Sequence, residues 1–178
     1  MCIRDRNLGI RYGYIEQLDD ELLRISKESF DALSFNCYAL SLDHEKMNHA
    51  LEISGLPMII GEYHFGTVDR GLAQSLWQVN SQKERGDAFR YYTENAFAHR
   101  GLIGTGWFRW IDQNINGRTD GENYNCGFID VTDRPYPYMV DAAIKTAKSL
   151  YEIHSGTKTP FHQAPNAVGH SPIPDLWE

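Results

Sequence analysis

The 178-residue sequence has only three cysteines, no long apolar run and no cluster of basic residues. Cys2, Cys37 and Cys126 are odd in number and lack C-x-x-C spacing, so they fit neither a disulfide framework nor a zinc site. No apolar stretch approaches the roughly 20 residues of a membrane span, and the first residues lack the apolar core of a signal peptide. Because the formal charge is −7, neither nucleic acid nor a membrane is expected as a partner.

The composition is that of a globular protein. Charged residues make up 23% of the chain and aromatic residues 12%. The length is sufficient for one domain with a sizeable core. An acidic, aromatic-rich chain also suits a neutral ligand with flat apolar faces, such as a sugar.

Helix-like and strand-like segments alternate along the chain. We predict helices over 19–30, 44–55, 81–98 and 135–156, and strands over 31–38, 57–62 and 101–111. Asp43 is a candidate N-cap and Gly55 a candidate C-cap of the second helix. The Pro-rich segment 157–178 lacks periodicity and is expected to be loosely ordered.

This alternation predicts an α/β fold with a parallel sheet and helical crossovers. An open doubly wound sheet and a closed β/α barrel both fit, and both place ligands at the carboxyl ends of the strands. No strand leads into G-x-G-x-x-G or a P-loop, which argues against a nucleotide-binding sheet.

The predicted strands end in a similar way. Their last residues read SFNCY, GEYHF and WFRWIDQ, so each begins apolar and turns to polar and aromatic groups. Because the carboxyl ends of parallel strands meet at one edge, these groups predict a polar pocket with aromatic walls. Glu62 would stand at its rim, where a buried strand emerges.

The same residues carry a family resemblance. SFNCY, PMIIGEYHFGTVDRGL and GWFRWIDQNINGRTDGENYNCGFIDVTDRPYP resemble the C-terminal half of the family 50 glycoside hydrolases, the β-agarases. The resemblance covers roughly residues 7–151. It implies a retaining glycosidase with a (β/α)8 TIM barrel, no cofactor and a polysaccharide or oligosaccharide substrate. Glu62 then matches the nucleophile at the end of barrel strand seven, and the general acid/base comes from strand four.

The resemblance also implies a truncation. A full barrel takes about 250 residues, and the predicted units match only strands five or six to eight. We therefore expect residues 1–6 to be an artefactual leader, residues 7–156 the C-terminal part of the catalytic domain, and residues 157–178 a tail. The acid/base residue would be missing, so the chain alone is expected to be inactive, and the parent to be secreted or periplasmic.

Retaining glycosidases use two carboxyl groups about 5–5.5 Å apart, one as nucleophile and one as acid/base. An ionised nucleophile needs hydrogen-bond donors and positive charge nearby. Tyr38 is a candidate phenol donor to Glu62, and Asn36 a candidate polar neighbour. Arg109 could supply the charge, and His64 could bind a sugar hydroxyl. As alternatives, Tyr38 fills the core, His64 is a satisfied loop histidine, and Glu62 is a surface carboxylate.

An aromatic platform for a sugar ring is expected after the last strand. Alternation places Trp107 and Arg109 on one side and Phe108 and Trp110 on the other. Trp107 is predicted to face the pocket, although a shift of one residue in the strand's register would exchange it with Trp110.

The segment DQNINGRTDGEN (112–123) nearly matches a calcium-binding EF-hand loop. Asn123 stands where the pattern needs glutamate, Glu122 comes one residue early, and a strand rather than a helix precedes the segment. We interpret it as a loop, with Asp112, Gln113, Glu122 and Asn123 as candidates to contact or support a substrate. No metal site is predicted.

Several functions remain open. The leading one is part of an agarase-like hydrolase that cleaves β-galactosidic bonds by double displacement, and a close variant acts on another β-glycoside. A non-catalytic carbohydrate-binding remnant and an unrelated α/β enzyme with Glu62 as general base are the alternatives.

Overall fold

The computed structural model describes residues 8–12, as backbone, and residues 19–169. The strands in these ranges are β1 (Leu8–Tyr12), β2 (Ala32–Asn36), β3 (Met58–Tyr63), β4 (Trp77–Gln78), β5 (Leu102–Trp107) and β6 (Val168–Gly169). The helices are α1 (Asp20–Ser29), α2 (His44–Ser54), α3 (Gln82–Phe97) and α4 (Pro137–His154). The predicted leader, residues 1–6, lies outside the described residues.

Four strands form one parallel sheet in the order β1-β2-β3-β5. Leu33 is opposite Met58, and Met58 is opposite Leu102, so the register runs across the inner strands. The predicted α/β fold with a parallel sheet is therefore confirmed. The strand order follows the chain without reversal, whereas a doubly wound sheet reverses its order at a switch point.

Local caps fix the helix ends close to the predicted positions. Asp43 accepts hydrogen bonds from the amides of Glu45 and Lys46 at the start of α2, and Gly55 ends this helix with a φ of 66°. Pro137 occupies the first turn of α4.

β5 ends earlier than predicted, at Trp107 rather than at Ile111. The chain then leaves the sheet, and the Arg109 amide donates to the Cys126 carbonyl at 3.4 Å. Gly127 lies against this turn so closely that a Cβ atom would come within 2.3 Å of a backbone nitrogen. The loop that follows β5 is therefore folded back on the end of its own strand.

The core lies between one face of the sheet and the helices. Its fully buried strand residues are Leu33, Phe35, Met58, Ile60 and Leu102, and these cluster with Met47 of α2, Ala88 and Tyr92 of α3, and Met139 of α4. The strand residues next to these are less buried: Ser34 and Ile59 are half-buried, and Ile103 is 56% exposed. The sheet thus has one helix-covered face and one open face.

The expectation of a loosely ordered tail is wrong for residues 157–169. The Phe161 amide donates to Glu94 at 2.8 Å, and the Phe161 carbonyl accepts from Asn95 at 2.9 Å. Further on, β6 pairs antiparallel with β4. The segment lacks periodicity because contacts of single residues hold it, such as the two backbone hydrogen bonds between Phe161 and side chains of α3.

None of the helices in the described ranges combines the length and the apolar character needed to cross a membrane.

Candidate active site

Glu62 lies at the carboxyl end of β3, where the sheet register shifts. Phe35 is opposite Ile60 and Asn36 is opposite Glu62, so Gly61 is an extra residue in β3. A Cβ atom at Gly61 would lie 2.9 Å from the Asn36 amide oxygen. Glycine therefore lets the bulge and the Asn36 side chain approach each other.

Two side chains from the end of β2 donate hydrogen bonds to the Glu62 carboxylate. Asn36 Nδ2 lies 3.0 Å and Tyr38 Oη 2.9 Å from Glu62 Oε2. Burial, followed by the charge of Glu62, raises the pKa of Tyr38 well above its usual value, so the phenol stays protonated and donates. The structure thus brings together the carboxylate, the amide and the phenol that the sequence singles out.

His64 is a buried, satisfied histidine and does not face a ligand. It is 2% exposed, the Leu76 amide donates to Nε2 at 3.2 Å, and Nδ1 lies 3.1 Å from the Phe108 carbonyl. Since Nε2 accepts, Nδ1 carries the proton. Burial lowers the pKa of His64 to about 3, so the ring is neutral. These contacts match the alternative of a satisfied histidine, the contact with a sugar hydroxyl stays a prediction, and the ring packs edge-on against Tyr38 at 4.9 Å.

Trp107 packs among core residues on the helix-covered side. It is opposite Tyr63, and its ring packs against Tyr63 at 5.2 Å and Phe89 of α3 at 5.6 Å. β5 has an extra residue between Leu102 and Gly104, where β3 advances only from Met58 to Ile59, so alternation counted along β5 does not give the face of Trp107. Trp110 is 69% exposed, whereas Trp77 and Trp107 are half-buried.

Arg109 is half-buried and lies beside Cys126. Its charge opposes the effect of burial, which together with Asp112 raises the pKa of the Cys126 thiol to about 12. That thiol is therefore protonated and unreactive. Whether Arg109 also supplies charge to Glu62 stays a prediction.

Asp112 is buried and holds the loop together, as expected of a supporting residue, and a contact with substrate stays a prediction. Its Oδ1 accepts from the Gly127 amide at 2.6 Å, and its Oδ2 accepts from Asn125 at 2.9 Å and from the Tyr136 phenol at 2.6 Å. Arg85 of α3 covers the Tyr136 ring at 4.7 Å. The carboxylate is fully used by these donors.

Gln113 is also buried, and its amide bridges the loop internally. Its Oε1 accepts from the Tyr124 amide at 2.6 Å, and its Nε2 donates to Glu122 at 2.7 Å. Glu122 pairs with Arg118 at 3.3 Å, and its charge contributes to the raised pKa of the Tyr38 phenol. Asn123 is half-buried, and its carbonyl accepts from an amide of the 66–79 segment. Gln113 therefore supports the loop, whereas Glu122 acts on Tyr38 through its charge.

Two important residues were not predicted. Arg85 is completely buried and donates to Gln82, Asn125 and the Gly127 carbonyl, which ties α3 to the loop. The Trp77 indole donates to the Tyr38 carbonyl at 2.7 Å. An arginine in a helix rich in charged residues carries no local signal that it is buried. A lone tryptophan between Leu76 and Gln78 carries no signal of which residue it contacts.

Comparisons with known proteins agree with this geometry. No family model matches the sequence. Beta-agarase A of Vibrio sp. (strain JT0107) is 40% identical over 128 residues, which cover 68% of this chain and 13% of that protein. The solved structure of PfGH50B has a TM-score of 0.77 at 38% identity over 83% of this chain and 22% of its own. A solved exo-β-agarase gives a TM-score of 0.78 at 35% identity, over 85% of this chain and 20% of its own.

The chain is related to the family 50 glycoside hydrolases and matches part of their length. It spans 13% of the length of the curated agarase above. In this chain, a carboxylate with two neutral donors stands at the carboxyl edge of a parallel sheet. A carboxylate so placed can serve as a nucleophile or as a base. Within the described ranges, no three His, Cys, Asp or Glu side chains are grouped as metal ligands.

Proposed function

We propose that this chain carries the nucleophile of a retaining, agarase-like β-glycoside hydrolase, and that Glu62 is that nucleophile. The observation that carries the proposal is the pair of hydrogen bonds from Asn36 and Tyr38 to Glu62 Oε2, at 3.0 and 2.9 Å. Donors aimed at a carboxylate stabilise its charged form, which is the form that attacks.

The proposed reaction is a double displacement. The Glu62 carboxylate attacks the anomeric carbon of a β-galactosyl unit, and the glycosidic carbon–oxygen bond breaks as the glycosyl-enzyme ester forms. The departing oxygen takes a proton from a second carboxyl group, which the resemblance assigns to barrel strand four. Water then attacks the anomeric carbon of this intermediate and gives a proton to that second group, and the bond between the anomeric carbon and the Glu62 oxygen breaks, which releases Glu62. The substrate is expected to be a polysaccharide or oligosaccharide of the agar type.

We also propose that β1, β2, β3 and β5 correspond to strands five to eight of a (β/α)8 barrel. Sequential order, parallel pairing and one open sheet face support this assignment. The carboxyl edge is where such barrels hold their active sites, and Glu62 lies there. The sheet has four strands because β1 precedes β2, so we take the match to the barrel to begin at barrel strand five rather than six.

Exposed aromatic groups supply candidate sugar contacts. Trp110 stacks on Phe128 with ring centroids 6.0 Å apart and planes 23° apart, so one indole face is supported from behind. The half-buried Tyr124 lies edge-on to His64 at 5.8 Å, and the same His64 ring packs against Tyr38. We assign Trp110 as the stacking platform in place of Trp107.

The test is covalent labelling of the full-length protein with 2-deoxy-2-fluoro-β-galactosyl fluoride. The fluoride leaving group needs little protonation, so the probe reports the nucleophile alone. We expect mass spectrometry to place the sugar on the peptide that contains Glu62, and the Glu62→Gln variant to remain unlabelled. A label on a different carboxylate would disprove the assignment. Sugar binding without any label would favour the non-catalytic carbohydrate-binding alternative.

A further inference from the structure

The segment 157–169 follows a defined path, and its first attachment is to α3. Glu94 is buried and accepts from the Phe161 amide at 2.8 Å, while Asn95 donates to the Phe161 carbonyl at 2.9 Å. The Arg90 guanidinium lies 4.4 Å from the centre of the Phe161 ring. Three neighbouring side chains of one helix therefore hold both backbone groups and the ring of a single residue.

The second attachment is to β4. Gly169 is opposite Trp77 in the β4–β6 pair, and Val168 is opposite Gln78. A Cβ atom at Gly169 would lie 3.0 Å from Trp77 Cζ2 and 3.2 Å from two further indole atoms. Glycine thus lets the backbone of β6 rest on the indole ring.

Trp77 in turn contacts the residue that donates to Glu62. Its indole Nε1 donates to the Tyr38 carbonyl at 2.7 Å, and its ring packs edge-on against Phe65 at 6.4 Å. The neighbouring Cys37 is held by the Tyr92 phenol, which donates to its carbonyl at 2.7 Å. Two hydrogen bonds thus fix the backbone that carries Tyr38, one from Tyr92 and one from Trp77. Of these two residues, Trp77 is the one that the segment 157–169 contacts.

We propose that residues 157–169 form a strap that positions Tyr38 against Glu62, with Trp77 as the positioning residue between them. The strap presses on the indole at Gly169, the indole fixes the Tyr38 carbonyl, and the Tyr38 phenol holds the Glu62 carboxylate. The role of Glu62 in this inference rests on the proposed function, whereas the coupling from strap to Tyr38 does not.

Fluorine NMR on the whole chain tests the coupling without any substrate. The protein is labelled with 5-fluorotryptophan or 3-fluorotyrosine, and the Trp77 and Tyr38 resonances are assigned from the Trp77→Phe and Tyr38→Phe variants. Phe161→Ala removes the contact of the ring with Arg90 from the first attachment, and Gly169→Val places a side chain against the indole. The matched control is Gln163→Ala, because Gln163 is an exposed residue of the same strap.

We expect both attachment variants to shift or broaden the Trp77 and Tyr38 resonances, and the control to leave both unchanged. The resonance of Trp107, which packs in the core, shows that each variant is folded. If a variant loses the Trp107 signal, it is not folded, and Trp77→Phe is used in its place. This substitution keeps an aromatic ring but removes the indole donor, so we expect it to shift the Tyr38 resonance. An unchanged Tyr38 resonance in folded variants would overturn the proposal.

Labelling kinetics connect the strap to Glu62. In the full-length protein, Gly169→Val should lower the rate constant for fluorosugar labelling roughly 10- to 100-fold while the half-saturating probe concentration changes little, since misplacement of reacting groups slows the chemical step. A rise in half-saturating concentration alone would mean that the strap acts on binding. Absence of label in the unsubstituted protein would sink the proposed function, and the NMR result would still judge the strap.

Discussion

At the scale of single residues, the Tyr38 phenol is the contact on which the proposed nucleophile most depends. A hydrogen bond to a charged, half-buried group contributes about 1.5–3 kcal/mol. We expect Tyr38→Phe to lower the rate constant for labelling of Glu62 roughly 10- to 100-fold, with the fold preserved. Tyr151→Phe, at a side chain that is 89% exposed, is the control. If Tyr38→Phe is labelled as fast as the unsubstituted protein, the hydrogen bond from Asn36 alone is sufficient to position Glu62.

His64 makes stability depend on pH in a predictable direction. Its folded pKa is lowered to about 3, against an unfolded value of 6.5. Below the unfolded value the unfolded chain binds a proton that the folded protein does not, so this contribution is complete above about pH 6.5 and is lost as the pH falls toward 3. The free energy of unfolding should therefore drop by about 1–3 kcal/mol between pH 6.5 and 4.5 through this residue.

The measurement is urea unfolding of the parent and of His64→Gln at both pH values. The variant is expected to be less stable at pH 6.5, because two buried hydrogen bonds are disturbed. Between pH 6.5 and 4.5, the free energy of unfolding of His64→Gln should fall by about 1–3 kcal/mol less than that of the unsubstituted protein. Equal losses in the two proteins would mean that His64 titrates normally in the folded state.

The sequence reveals the Asn36, Tyr38 and Glu62 constellation because ends of adjacent parallel strands must meet. The sequence does not give the face of Trp107, and the reason is equally physical. Strand alternation holds only in a regular strand, and β5 has an extra residue between Leu102 and Gly104 that β3 does not match. A bulge leaves no periodic signal that could correct the assignment.

At the scale of elements, the loop after β5 depends on one buried carboxylate. Asp112 accepts three hydrogen bonds, and the buried guanidinium of Arg85 lies over the Tyr136 ring beside it. We expect Asp112→Asn to lower the free energy of unfolding by about 2–4 kcal/mol, because an amide replaces an acceptor with a donor and leaves a buried cation less balanced. Thermal and urea unfolding measure this loss.

The control for this loop is Asp120→Asn. Asp120 pairs with Arg118 at 2.7 Å, but its side chain is 44% exposed. Exposed pairs contribute little, so the change should be within about 0.5 kcal/mol. Comparable losses in the two variants would show that Asp112 is not the anchor of the loop.

The longer elements could be predicted, but the short strands could not. Caps such as Asp43 and Gly55 and the apolar spacing of the helices are local, so they are visible in the sequence. β4 and β6 have two residues each and exist only because the tail reaches back along α3. Their pairing depends on contacts such as Glu94 with Phe161, which join residues far apart in the chain.

At the scale of the whole molecule, apolar side chains remain exposed on the surface. Ile103 lies on the open face of the sheet, while Val140, Ile144 and Tyr151 follow one side of α4 at helical spacing. In the same helix, buried Met139 and Ala142 face the core. A helix that is apolar on a second side covers another surface when one is available.

We therefore expect the isolated 178-residue chain to self-associate as its concentration rises, which sedimentation velocity measures. Replacing Ile144 and Tyr151 together by lysine should shift the population toward monomer. Glu21→Gln with Glu28→Gln is the matched control, because it changes the net charge by the same amount at exposed polar positions of α1. If both pairs dissolve the oligomer equally, net charge rather than this face of α4 governs association. If neither does, the open face of the sheet, marked by Ile103, becomes the surface to vary.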